Sequence, residues 1–210
     1  MEIAPHVHLL EETKGSYVYV ILGQEPVLID TFFPGKIDRV IAGLDRIGLK
    51  PTDIAHILLT HSDVDHIGNA KRLRELSRAT LWAPREELAY LYHEQKDHGV
   101  RRIIRALMKV DKPAIDRTYD SWEYISDLEL IPTPGHTPGH VSIRYQDVLI
   151  AGDLVTTRKG KLKRSPGLLT WNQQALQQSL QEVGKHSFDW ICPAHGDPIQ
   201  RGNLWETLLS

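Results

Sequence analysis

The chain has 210 residues, 41% of them apolar, enough to fill one sizeable core. Twenty-five lysines and arginines against 27 aspartates and glutamates leave a net charge of −2, without the basic excess that binding a phosphate backbone needs. The single cysteine, Cys192, excludes an internal disulfide, a thiolate zinc cluster and a CxxC redox pair.

The opening, MEIAPHVHLLEETKG, lacks the basic start and apolar stretch of a secretory signal, and no apolar run reaches the roughly 18 residues that span a bilayer. A cytoplasmic protein with no membrane or nucleic-acid partner is expected. HVHLL, SYVYVIL and PVLID, separated by Lys14-Gly15 and Gly23-Gln24-Glu25, predict a strand meander. From Pro34 to Gly48, Ile37, Val40, Ile41, Leu44 and Ile47 fall on one helical face, with proline near the start and glycine at the end. IAHILLT, at 54–60, is a short apolar run suited to a parallel strand covered on both faces, and it leads into the polar loop HSDVDHIGN.

AKRLRELS predicts a helix and ATLWA a strand, a βα alternation that points to a layered α/β domain. Residues 84–118 differ: they hold 14 charged side chains and two expected helices, REELAYLYHEQ and VRRIIRALMKV. Arg101, Arg102, Arg105 and Lys109 recur at helical spacing, which by default marks a solvated face. A second strand-rich half follows, with DLELIPT, HVSIRY and DVLIAGD, then the helix QQALQQSLQEVGK, the strand DWICPA and a last helix around LWETLL. RKGKLKR, at 158–164, puts five positive charges in seven residues and is expected as a solvated hairpin tip, with an anion-holding segment as the alternative.

Eleven histidines are present, and several sit with carboxylates at strand ends. His61, Asp63, Asp65 and His66 fall within six residues after a buried strand, where α/β folds place their sites. Alone, the segment also reads as a polar turn with Asp65 or Asn69 capping the next helix. Three further loops tip the balance: TPGHTPGH with His136 and His140, AGD with Asp153, and PAHG with His195. Imidazole and carboxylate groups suit zinc, iron or manganese, and seven of them suffice for two ions sharing a bridging carboxylate.

HSDVDH, TPGHTPGH, AGD and PAHG, in this order, resemble the metallo-β-lactamase fold superfamily, and VLIDT, SLQEV and FDWICPAHG extend the resemblance over essentially the whole chain. It implies one domain over residues 1–210, an α/β four-layer αβ/βα sandwich with a helical insertion at about 84–118. It also implies two divalent metal ions, zinc foremost with manganese or iron as alternatives. His61, Asp63 and His136 would serve the first, Asp65, His66 and His195 the second, and Asp153 would bridge them. Asp63 departs from the HxHxDH pattern, in which histidine usually stands at that position. The exchange makes the cluster one unit less positive and tilts it toward harder ions.

The implied activity is metal-dependent hydrolysis of a small ester-type substrate by a hydroxide bridging the ions, with Asp65 orienting it and carrying its proton. A thioester, as in the shorter glyoxalase II-like members, ranks first and a lactone second; β-lactam hydrolysis ranks lower. Alternatives are a mononuclear iron enzyme resembling the persulfide dioxygenases, held by His61, His136 and Asp153, and a catalytically silent metal-binding module. His140 is expected behind the ligands and Asp30 beneath the metal loop. Tyr90, Tyr92 and Tyr119 are candidate donors to substrate, with packing on an amphipathic helix at least as strong a reading for the first two, and residues 84–118 are a candidate lid. Cys192 is expected in the core, and His6, His8, His56, His93, His98 and His186 have no assigned role. A small-molecule partner is expected, with the chain as monomer or homodimer.

Overall fold

Alternating apolar residues in the first third of the chain build a sheet whose two faces are both covered. A computed structural model describes residues 1–96, 99–119 and 123–210. The first sheet takes seven strands in chain order: β1 (Glu2–Ala4), β2 (Val7–Leu9), β3 (Tyr19–Leu22), β4 (Pro26–Ile29), β5 (His56–Leu58), β6 (Thr80–Pro84) and β7 (Arg117–Tyr119). β1 to β4 run antiparallel as the expected meander, and β4 to β7 pair in parallel through helical crossovers. The second sheet has the order β15-β14-β11-β10-β9-β8, from β8 (Glu123–Ile125), β9 (Leu128–Pro132), β10 (Val141–Tyr145), β11 (Val148–Gly152), β14 (Trp190–Pro193) and β15 (Ile199–Gln200). β12 (Val155–Arg158) and β13 (Lys161–Arg164) form a separate hairpin whose charged tip is exposed, as expected of a solvated turn.

The sheets face each other across a core in which Val7, Tyr19, Ile21, Val27, Ile29 and Leu58 meet Leu130, Val141, Ile143, Val148, Ile150 and Cys192. Outside the first sheet, α1 (Ile37–Arg46) and α3 (Ala70–Ser77) bury Val40, Leu44, Ala70 and Leu73 against Leu28, Ile57 and Leu81. Outside the second, α6 (Gln173–Gly184) and α7 (Leu204–Leu209) bury Leu176, Leu180, Val183 and Trp205 against Ile131, Leu149 and Ile191. This is the four-layer αβ/βα sandwich expected from the sequence. Side chains on both faces of a strand are apolar because each face meets a layer, which removes the alternation a half-solvated sheet would show.

Two local expectations need correction. HSDVDHIGN is not all loop, since α2 (Val64–Ile67) makes one helical turn within it and Asp63 takes the position just before. The turn swings Asp65 and His66 away from Asp63, which simple strand alternation does not do. In the insertion, REELAYLYHEQ gives only a 3-10 turn and α4 (Leu88–Leu91), while α5 (Val100–Leu107) matches its prediction and buries none of its residues. Helix propensity alone does not extend α4, because only one of its residues, Leu91, is fully packed. Among the described residues, no helix is long and apolar enough to cross a membrane.

Candidate metal centre

The ends of β5, β9, β11 and β14 lie together at the open rim between the sheets, and each supplies a loop carrying histidine or aspartate. Two groups result, His61, Asp63, His136 and Asp153 in one and Asp65, His66 and His195 in the other, with donor atoms within 4.8 Å of one another in each. All seven residues singled out in the sequence are therefore brought together. Asp153 stands between the groups: its Oδ2 is 3.3 Å from both His136 Nε2 and His195 Nε2, and its Oδ1 is 3.5 Å from His66 Nε2.

Buried hydrogen bonds turn the imidazoles so that one nitrogen of each faces inward. His66 Nδ1 lies 2.8 Å from Asp30 Oδ2, His195 Nδ1 2.5 Å from the Gly15 carbonyl, His61 Nδ1 3.0 Å from Thr60 Oγ1 and His136 Nδ1 2.7 Å from Ser165 Oγ. Asp30, in the left-handed backbone region at φ 63°, also accepts from Thr60 N and Thr60 Oγ1, each at 2.8 Å, and so ties the metal loop to β4 as expected. His140 stands behind the ligands: its Nε2 accepts from Asp153 N at 2.9 Å and its Nδ1 lies 2.8 Å from Thr133 Oγ1. Gly152, at φ +53°, is required here because a Cβ would stand 2.6 Å from His140 Nε2. Gly135, at φ +143°, plays the same part in TPGHTPGH, where a Cβ would fall 2.4 Å from the Leu176 backbone.

These contacts set the charges of the metal-free cluster. Burial pushes the Asp153 carboxyl up, but His195, His66 and His136 around it outweigh burial and hold it well below the usual carboxylate range. Burial likewise lowers His66, yet Asp30, Asp65 and Asp153 raise it well above its ordinary value. His195, opposed by burial but bonded to Asp153 and Asp65, rises to about 10. His140 goes the other way, since burial and the neighbouring His61 and His136 push it well below 6.5. Burial also raises the Cys192 thiol, which lies in the core and takes no part in the centre.

The donor set fits divalent metal ions. Among the described residues, His61 Nε2, His66 Nε2 and Asp153 Oδ1 are buried with no hydrogen-bond partner, and all three face the interior of the cluster. An orphaned buried polar atom is costly, and cations held in the two groups would satisfy all three.

Several residues that hold the centre were not singled out in the sequence. Glu87, 1% exposed, accepts from Ser62 N at 2.9 Å, Ser62 Oγ at 2.6 Å and Gly139 N at 2.7 Å, joining the two histidine loops to the start of the insertion. Ser16 Oγ donates to the Asp65 carbonyl beside the Gly15 contact with His195. The basic stripe is not simply a solvated face: Arg105 Nη2 donates to the Ser62 carbonyl, and Arg101 Nε bonds both Asp63 oxygens while Nη2 reaches His136. The tyrosine expectation is corrected in part. Tyr92 Oη donates to the Pro113 carbonyl and buried Tyr119 Oη to the Leu59 carbonyl, whereas Tyr90 lines a small pocket with Asp63, Arg101 and Trp171. His56 pairs with Glu25 and Trp82 away from the centre, and His98 lies outside the described residues.

Beside the second group opens a cavity of about 320 Å³. Asp63, Asp65, Asp153 and His195 line it together with Arg101 and Arg105 and with the apolar Phe33, Val64, Ile104, Met108 and Leu169.

Comparison with known proteins agrees with this architecture. Residues 12–195 match the metallo-beta-lactamase superfamily, and the chain belongs to that family of metal-binding hydrolases. It is 30% identical over 188 residues to the uncharacterized protein YobT of Bacillus subtilis, covering 82% of this chain and 78% of YobT. It is 27% identical to the hydroxyacylglutathione hydrolase GloC of Haemophilus influenzae over 128 residues, 58% of each chain. A metallo-beta-lactamase family protein from Thermus thermophilus superposes with a TM-score of 0.77 at 20% identity, covering 99% of this chain and 79% of its own.

Proposed function

We propose that the chain is a metal-dependent hydrolase of a small ester-type substrate, a thioester first and a lactone second. The observation that carries this reading is the pair of donor groups opening onto a mainly apolar cavity of about 320 Å³, room for a short acyl chain. His61, Asp63, His136 and Asp153 would hold one ion, and Asp65, His66, His195 and Asp153 the other. Divalent ions bound there supply Lewis-acid polarisation of a carbonyl and lower the pKa of water.

The chain's own residues do the rest. Asp65 is kept ionised against burial by His66 and by its bond with His195, 3.2 Å away. Its carboxylate orients the attacking water in the cavity, accepts a proton and returns it to the leaving sulfur or oxygen. Phe33, Val64, Ile104, Met108 and Leu169 hold the acyl part and exclude bulk water. Similarity to GloC supports the thioester, since that protein is named for hydrolysis of a glutathione thioester.

A panel of acyl-glutathione thioesters and acyl lactones, assayed with the metal-loaded protein, tests the reading. Turnover of one class is expected, reduced roughly 100-fold or more in Asp65→Asn when the two proteins are compared at metal loading matched by titration. No turnover of either class, or full activity in Asp65→Asn, would overturn it.

A further inference from the structure

The two metal groups differ in one contact from outside them. Arg101, from the exposed helix α5, is itself only 11% exposed, and its guanidinium enters the first group. Nε lies 2.8 Å from Asp63 Oδ1 and 2.9 Å from Oδ2, and Nη2 lies 2.7 Å from His136 Nε2. With His136 Nδ1 turned to Ser165 Oγ, Nε2 is the nitrogen whose lone pair a metal would take, and Arg101 Nη2 stands 2.7 Å from it. A metal ion at His136 would need that same lone pair at roughly 2.0–2.1 Å. Guanidinium and ion therefore exclude one another at this nitrogen.

Charge points the same way. Asp63 Oδ2 and His136 Nε2 stand 3.0 Å apart, within hydrogen-bond distance of each other, and the guanidinium lies against both. Asp63 brings one negative charge more than a histidine at its position, and Arg101 cancels it. The match is incomplete, however: His61 Nε2, 3.5 Å from Asp63 Oδ2, stays without a hydrogen-bond partner, so the group keeps a free ligand for an incoming ion. The helix that carries Arg101 has no fully buried residue, with Ile103 61% and Leu107 79% exposed, and is tied down through Arg101 and through Arg105 on the Ser62 and Tyr90 carbonyls. Among the described residues no lysine or arginine bonds Asp65, His66 or His195, and the two histidines are fixed by Asp30 and the Gly15 carbonyl.

We propose that Arg101 and a divalent ion compete for the first group, so that the resting protein holds one ion firmly, at Asp65, His66, His195 and Asp153. A second ion enters only as α5 carries Arg101 away. This rests on the metal reading given above and adds to it that the ion count is set by the insertion. Because coupling is reciprocal, loading the first group also loosens α5.

The experiment is zinc titration of the chelator-stripped full chain, followed by calorimetry and by elemental analysis after gel filtration. The wild-type protein should show one tight equivalent and a weaker second one. Arg101→Met should tighten the second roughly ten- to hundredfold, the worth of a charge-assisted hydrogen bond. Arg101→Gln should shift it the same way, because a neutral amide cannot stand in for the guanidinium, and this variant decides the matter if Arg101→Met fails to fold by circular dichroism. Trypsin should cleave α5 faster once the second equivalent is bound. Two equivalents of equal affinity in the wild type, or wild-type isotherms in both variants, would overturn the competition and leave the hydrolase reading standing. No zinc bound by any form would overturn both.

Discussion

The first and second donor groups share Asp153 and the same strand-end origin, yet they depend on different parts of the molecule. The second is anchored from beneath by Asp30 and by the Gly15-Ser16 turn, all tied to the first sheet. The first is anchored from the side, by Glu87 at the start of the insertion, by Ser165 after the hairpin and by Arg101 in α5. A group bolted to a sheet keeps its geometry whatever the surface does. One held by a surface helix changes when that helix moves, so the difference separates a fixed half of the centre from an adjustable half.

The sharpest way to break the comparison is to remove what the halves share. Asp153→Ala takes away a carboxylate within 3.5 Å of three histidines and should abolish tight binding at both groups with all turnover. Retention of one full-affinity site, read by calorimetry, would show the halves to be independent. Next in size, Asp30→Ala frees the His66 ring and should weaken the second group roughly 10–100-fold, with a smaller loss at the first through Thr60, which bonds both Asp30 and His61. Glu87→Ala should do the converse. It strands the Ser62 and Gly139 amides and costs about 3 kcal/mol in urea unfolding, and it disturbs the first group before the second.

The smallest effect concerns both halves equally. His140 is buried neutral with its pKa well below 6.5, so its contribution to stability is present above 6.5 and lost as pH falls below it. His66 and His195 are shifted upward and have given their full contribution by that pH, adding no slope beneath it. Urea unfolding of the metal-free protein between pH 6.5 and 5 should therefore lose up to about 1.4 kcal/mol per pH unit for this histidine. His140→Gln should reduce that slope, the remainder coming from His136 and His8, which burial also lowers.

Much of the molecule was legible in the sequence because its loops are chemically overdetermined. Nothing but a shared site explains four strand ends that each carry histidine or aspartate, and the apolar runs before them read as strands covered on both faces. The α2 turn escaped because four residues give helical periodicity no room to show. Glu87 escaped because one acid among 14 charged residues of the insertion carries no mark of burial. Arg101 was visible only indirectly. An aspartate standing where the family pattern has histidine leaves a negative charge to be balanced, and a helix facing that position is where the balance comes from. Tyr119 misled for the opposite reason, since a phenol beside a site reads as a donor to substrate until its hydroxyl is found on a buried carbonyl.

The central claim, a hydrolase dependent on metal held by these two groups, is tested most directly by one assay. It is the rate of acyl-glutathione thioester hydrolysis by chelator-stripped protein as zinc or manganese is returned in stoichiometric steps. The account predicts no rate above background in the stripped protein and recovery that begins with the first equivalent, at the second group. A rate that survives complete stripping, or one that never appears at any loading with thioesters or lactones, would contradict it.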